Sequence, residues 1–427
     1  MVYFFWETKK ETILMINNTL KKNTIFLYIA YIPRYLFPIL LIPYLTRVIG
    51  FEDWGRLVFY IAYGAYIEAI IDYGFDFTGT RDISVHRKSK KKIEKILSTV
   101  ITSKLFLSAL CLIATLGLTV VFEGLREDIE LFIGLTLVSI ASSFSMFWYF
   151  KGIEEMKMVT YLTITSYSVS SILVFSFIKS PDDIILYPLF FFCSAALVST
   201  IALSNVFSKN IFYFSNISDV ISELKNHFRM MVVRVSPIFF INGNIICVAL
   251  LFSEKTSAAF SLSLKLVHSV RMLLTPFVDA GFPNISSLIK EDENKAKSAV
   301  ISLATILLLL SFAMTLGIYF SADLLIFLFA GVRDVDAVSM VKALSLLPII
   351  IAVTHAFGPL WMMPLNMDGA FTKIISIAVS LNLFLFLASY FFARSIYWPV
   401  SIVLVTQLII PMLMYSYLKG KRQLFHT

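Results

Sequence analysis

Apolar runs of about 20 residues recur along almost the whole chain, and this pattern leaves few folds open. Twelve runs can be drawn, at 25–49, 55–79, 98–122, 129–150, 158–178, 184–207, 231–252, 257–280, 298–320, 338–362, 372–392 and 398–418. A soluble chain of 427 residues would divide into domains with polar surfaces. Here 58% hydrophobic and only 15% charged residues leave too little polar material to cover them. In hydrocarbon a segment of this length must satisfy its own backbone amides, which a helix does. The expectation is an all-α integral membrane protein of about twelve transmembrane helices.

A net charge of +8 raises the possibility of nucleic acid, so its placement decides its meaning. With an even number of spans both termini lie on one side. About two-thirds of the 36 Lys and Arg residues fall in segments on that side, while the outer loops carry about one apiece. The bias marks both termini as cytoplasmic and gives no reason to invoke nucleic acid. Cys111, Cys193 and Cys247 sit in apolar runs without paired spacing, and the five His residues form no metal pattern. The N-terminus lacks the order of a cleavable signal, and Met15, which begins MINNTLKKN, is the expected start of translation.

The longest outer segment expected is Ser321–Ala337, so no soluble catalytic domain is inserted on that face. The longest inner loop divides the spans into six and six. The expected organisation is an N-terminal tail (1–24), an N-lobe (25–207), a cytoplasmic linker (208–230), a C-lobe (231–418) and a C-terminal tail (419–427). Within the linker, ISDVISELKNHF reads either as an amphipathic helix on the inner leaflet or as a plain connection.

The halves read as repeats. Arg34 and Pro38 in the first span are matched by Arg234 and Pro237 in the seventh, and RDIS at 81–84 by PNIS at 283–286. Six spans per half return the chain to the same side. The two lobes are therefore expected to be pseudo-symmetric about an axis along the membrane normal, around a central cavity.

A charge at the bilayer centre costs about 2.5–3.5 kcal/mol on insertion scales and normally faces a partner or a wet cavity. Arg47, Lys104 and Lys342 lie near expected span ends, where long side chains snorkel. Arg34, Glu68, Asp72, Lys265 and Arg271 lie deeper, and Arg234 is intermediate. On a continuous helix Glu68, Asp72 and Asp76 would share an arc of about 80°, and Lys265, His268 and Arg271 one of about 120°. One lobe would then present acid where the other presents base. These charges either pair to hold helices together or line a polar cavity for an anionic ligand. The sequence shows no catalytic triad, metal motif or phosphate-binding Gly loop.

LTRVIGFEDWGRL at 45–57 and IIDYGFDFTGTRDIS at 70–84, with a weaker echo in KLVHSVRMLLTPFVDAGFPNIS at 265–286, resemble O-antigen flippases. These are polysaccharide biosynthesis proteins of the multidrug/oligosaccharidyl-lipid/polysaccharide exporter superfamily. The resemblance implies two six-helix lobes around a cationic cavity, in the bacterial inner membrane. It also implies transfer of an undecaprenyl-pyrophosphate-linked sugar unit from the inner to the outer leaflet. On that basis Arg34, Lys265 and Arg271, with Arg234 beside them, are expected to meet the pyrophosphate. Glu68, Asp72, Asp76 and His268 are the coupling or gating candidates, and the acids would carry H+ or Na+ if transport draws on a gradient. No cofactor is expected, and the implied partners are lipid-linked oligosaccharide, membrane lipid and other polysaccharide-assembly membrane proteins. A drug/cation antiporter of the same superfamily shares the architecture. A membrane polysaccharide polymerase is the more distant alternative, disfavoured by the short outer loops.

Overall fold

The computed structural model describes residues 33, 37, 40–392, 395 and 397–421, and among them helices make almost the whole chain. In order these are α1 (its described part, 40–48), α2 (Phe51–Asp72), α3 (Phe75–His86) and α4 (Lys90–Val121). A short helical turn, Glu123–Glu127, leads to α5 (Ile129–Ser143), α6 (Phe147–Gly152), α7 (Met156–Phe177) and α8 (Leu186–Lys209). The second half holds α9 (Ile217–Ile238), α10 (Asn244–Leu251), α11 (Glu254–Arg271), α12 (Thr275–Glu291) and α13 (Glu293–Ala330). It ends with α14 (Val335–Leu344), α15 (Leu347–Phe357), α16 (Asp368–Phe392) and α17 (Trp398–Gly420).

Among the described residues eight helical segments are long and apolar enough to cross a membrane. The remaining expected spans depart for physical reasons. The first falls mostly outside the described residues, as do Met15 and Arg34. The second, seventh and eighth are helical but carry charges and breaks, which lower their hydropathy. The protein is an all-α membrane protein, with side chains such as Phe320 (80% exposed) and Leu309 (67%) turned outward, where only lipid would cover them.

The order of elements repeats. A helix interrupted by a break (α2 and α3; α11 and α12) is followed by a very long helix (α4; α13). The first break falls at Tyr73 and Gly74, both left-handed (φ 45° and 83°), a conformation glycine adopts freely and tyrosine rarely. The second is a 3-10 turn at Met272–Leu274, followed by Pro276 in the first turn of α12. Pro276 lacks the N–H that would continue the ladder.

Three boundaries differ from expectation. The second span is not a continuous helix, because Tyr73–Gly74 interrupts it. The outer segment expected at Ser321–Ala337 is helical to Ala330 and ends on Gly331 (φ 73°). Its residues LLIFLFA keep the helical period, and α13 is consequently 38 residues long, or about 57 Å. The inner linker is helical from Ile217 and runs unbroken into the seventh span. There a π turn, Phe239–Gly243, precedes α10. Caps fix several starts: Asp292 accepts from Asn294 N, and Asp334 from Ala337 N, each meeting an amide the helix itself leaves open.

Two compact units emerge. The first holds Tyr63–Val235 with the described residues up to Tyr44, around Phe75, Ile83, Trp148, Phe150, Leu162 and Val206. The second holds Leu45–Ala62 and Ser236 onward, around Leu274, Val300, Leu307, Ala352, Trp361 and Met414. The first half of α2 therefore groups with the second unit, which a simple cut at the 208–230 loop does not anticipate.

Candidate functional site

In the first unit the C-terminal ends of α2 and α5 meet at one lysine. Lys104 projects from the middle of α4 and is 1% exposed. Its Nζ donates to Asp72 Oδ1 at 2.7 Å and to the Ser143 carbonyl at 2.8 Å. Ser143 closes α5, where carbonyls lack helical partners and a cation is favoured. Asp72 closes α2, where a carboxylate alone would oppose the helix dipole. Lys104 answers both. Two residues beyond the break, Asp76 stands in the first turn of α3 and accepts from Lys151 of α6 at 2.9 Å. Close packing holds that pair: Thr80 donates to the Trp148 carbonyl at 3.0 Å, and a Cβ at Gly79 would lie 2.7 Å from the Trp148 ring.

The acidic stripe is thus corrected. Glu68 and Asp72 share α2, but the left-handed pair Tyr73–Gly74 turns Asp76 onto a separate helix. Asp72 and Asp76 each hold a lysine of the same unit, and Glu68 is exposed on α2. Lys104 does not snorkel from a span end, as a span beginning at 98 would require. The helix begins at Lys90, and the apolar positions Ile93 and Leu97 already signal it.

The second unit carries the basic stripe intact on α11. Lys265 is half-buried, with Nζ 4.8 Å from the centre of the Trp54 ring, a cation–π placement. Arg271 donates to His268 Nδ1 at 2.7 Å. Arginine has no acceptor, so this bond makes Nδ1 the acceptor and leaves the ring proton on Nε2. His355 of α15 lies within electrostatic reach of Arg271, and its buried Nδ1 has no hydrogen-bond partner among the described residues. No carboxylate among the described residues forms an ion pair with Lys265 or Arg271. The contrast with Lys104 and Lys151 is chemical: one unit neutralises its buried cations, the other leaves two open. Trp54 and His355 escape sequence reasoning, since a lone aromatic and a lone histidine carry no spacing signal. Arg234 lies on α9, and Arg34 lies outside the described residues.

Around the start of α4 and the short α6–α7 connection the first unit is laced by ion pairs. Arg87 bonds Glu154 at 3.0 Å and holds its carboxyl below the ordinary value. Glu223 of α9 sits 3.3 Å from His227. Burial raises the Glu223 carboxyl, with Asp82 adding to the rise and His227 and Lys95 opposing it.

Comparison with known proteins places this geometry in context. The family model described as polysaccharide biosynthesis protein matches residues 20–289. A protein of Escherichia coli (strain K12) named as a candidate O-antigen transporter is 27% identical over 370 residues, covering 86% of this chain and 89% of its own. One of the same name from Shigella dysenteriae is 25% identical over 409 residues, covering 94% of this chain and 100% of its own. Among solved structures, a multidrug resistance MATE family transporter of the MOP superfamily in an inward-facing conformation superposes with a TM-score of 0.68 at 12% identity. It covers 87% of this chain and 94% of its own. A MOP superfamily transporter from Pyrococcus furiosus, described as having a binding pocket of reversed polarity, gives a TM-score of 0.60 at 11% identity, with 96% of each chain covered. The structural likenesses establish the fold. With the family model spanning well over half of the sequence, the chain belongs to the polysaccharide biosynthesis protein family.

Proposed function

We propose that this protein is a flippase. It would carry an undecaprenyl-pyrophosphate-linked O-antigen or polysaccharide repeat unit from the cytoplasmic to the periplasmic leaflet of the bacterial inner membrane by alternating access, with both termini cytoplasmic. The observation that carries the reading is the pair of cations on α11, Lys265 and Arg271, which have no carboxylate partner among the described residues. Uncompensated positive charge at membrane depth favours an anionic ligand, and a diphosphate is the anionic part of a lipid-linked sugar. The glycan is too polar for hydrocarbon and needs a hydrated route, while the lipid tail stays in the bilayer. The same two cations repel a cationic drug, which argues against the drug antiporter.

Arg34 and Arg234 remain assigned to the same diphosphate, and His268 to orienting Arg271. If transport draws on an H+ or Na+ gradient, Asp72 and Asp76 are the carboxylates whose lysine partners an arriving cation would displace, with Glu68 on the same helix as Asp72.

Deletion of the gene tests the reading. Surface polysaccharide should fall and the lipid-linked unit should accumulate in the inner leaflet, with recovery by the wild-type gene and not by Arg271→Gln. Normal surface polysaccharide without such accumulation would overturn it.

A further inference from the structure

The exposed side chains of α4 change character along its length. From Lys90 to Lys104 they are Lys90, Lys91, Lys92 and Lys95, whereas from Leu105 to Val121 they are apolar or glycine, beginning with Leu105 and Phe106. Lysine heads belong in water or among headgroups, and outward apolar side chains in hydrocarbon. The membrane boundary therefore crosses α4 between Lys95 and Leu105. The segment 210–216, which links α8 to α9, is tied to α4 over that same interval. The amides of Ile211, Tyr213 and Ser215 donate to Glu94 Oε1 at 3.0 Å, Ser98 Oγ at 3.2 Å and Thr102 Oγ1 at 3.2 Å. These rungs take every second residue of the segment and every fourth of α4. An extended chain advances about 6.6 Å over two residues and a helix about 6 Å over four, so the two stay in step. Asn210 pins the start of the segment, donating to the Tyr149 hydroxyl at 3.0 Å.

Held this way, the segment packs Phe212 against the core of the first unit but leaves Ile211 (68% exposed), Tyr213 and Phe214 (74%) uncovered. The first turns of α9 continue that surface. At 100° per residue Ile217, Ile221 and Phe228 fall within about 40° of one another, and all three are exposed. On one flank of this stripe Val220 is fully buried and Leu224 packs on the core. On the other, Ser218, Ser222, Lys225 and Asn226 are exposed and polar. A contiguous bare apolar surface calls for a cover. Two observations name that cover as lipid. The surface lies at the level where α4 turns its own apolar side chains outward, and exposed lysines, Lys95 and Lys225, stand beside it.

We propose that residues 211–228 are an interfacial docking edge for an anionic lipid leaflet. Ile211, Phe214, Ile217, Ile221 and Phe228 enter the boundary between headgroups and acyl chains, and Lys95 and Lys225 meet the lipid phosphates. The rungs on α4 set the depth of the edge, and Tyr213 suits that level with a ring on one side and a hydroxyl for the headgroups. By the charge bias of the loops the leaflet is the cytoplasmic one. A plain connection would have no cause to bond its amides along α4 while turning Ile211 and Phe214 outward. The edge does not depend on which ligand the protein carries.

Phe214→Cys, in a full-length chain with Cys111, Cys193 and Cys247 replaced by alanine, is labelled with the environment-sensitive fluorophore NBD. The labelled protein is placed in nanodiscs of mixed phosphatidylglycerol and phosphatidylcholine. The label should be quenched by a lipid nitroxide near the headgroups and shielded from aqueous iodide, and the same label at Lys91→Cys should show the reverse. Phosphatidylcholine alone should raise iodide quenching at position 214 about fivefold, and so should Lys95→Gln with Lys225→Gln in the mixed lipid. Ser98→Ala with Thr102→Val removes two rungs and should cost the label its shielding. If iodide reaches the label at 214 as readily as at 91, the edge is overturned. Shielding from iodide without quenching by the lipid nitroxide would mean that protein, such as a second copy of the chain, covers the surface, and would overturn the lipid assignment. Equal quenching in both lipid compositions would overturn the anionic preference and leave the apolar docking standing.

Discussion

The Lys104 ammonium lies 2.7 Å from the Asp72 carboxylate and 2.8 Å from the Ser143 carbonyl, so one side chain ties the end of α2 to the end of α5 from the centre of α4. Removing Asp72 leaves the buried Lys104 ammonium without its carboxylate, which costs about 3–5 kcal/mol, whereas replacing both with apolar residues is often near neutral. Asp72→Leu should therefore lower the unfolding temperature in detergent sharply, and Asp72→Leu with Lys104→Met should recover most of the loss. A double variant no more stable than the single would show that the lysine acts through the Ser143 carbonyl alone.

Gly79 supports the neighbouring pair, Asp76 with Lys151, by letting α3 lie against the Trp148 ring. A Cβ there would come within 2.7 Å of the ring, and overpacking of this kind costs about 1–3 kcal/mol. Gly79→Val should lower thermal stability by that amount, and Gly79→Val with Trp148→Leu should restore part of it.

What the sequence discloses, and what it withholds, follows from the range of each interaction. Helical class and the paired order of elements come from periodicity along the chain, a local signal, and they carry through to α4, α11 and α13. The break at Tyr73–Gly74 is hidden by the apolar residues around it, so a periodic reading leaves Asp76 on the wrong helix. Lys104 is misplaced by a boundary set eight residues late, since helix α4 opens with the charged stretch KKKIEK. Trp54 and Lys265 lie in different halves of the chain, and nothing local links them; only the fold brings that cation onto that ring.

Glu223 of α9 supplies a pH dependence. Burial raises its carboxyl above the ordinary value, with Asp82 reinforcing the rise and His227 and Lys95 opposing it. The folded chain thus holds this proton to higher pH than the unfolded chain. Below about 4.3, the ordinary Glu value, both states are protonated and Glu223 carries no penalty. As pH rises through the folded value, the stability contributed by the proton is lost. Glu223→Gln should match the parent in unfolding temperature near that lower limit and exceed it at neutral pH. Equal temperatures across the range would show that His227 and Lys95 cancel the cost of burial.

Lys265 and Arg271 should behave oppositely to Lys104. Neither has a carboxylate partner among the described residues; Lys265 rests on the Trp54 ring and Arg271 on the neutral Nδ1 of His268. A residue kept for the fold would lower stability when removed; one kept for an anionic ligand would not. Lys265→Gln and Arg271→Gln should leave the unfolding temperature unchanged or raise it. Each should nevertheless cut transfer of lipid-linked units in reconstituted vesicles by at least about tenfold, or about 1.4 kcal/mol. Arg271→Lys keeps the charge but loses the planar donor set that bonds His268 while meeting a phosphate. It should sit between wild type and Arg271→Gln in transfer and match both in stability. Lower stability with unchanged transfer would make the two cations structural and withdraw the ligand from α11.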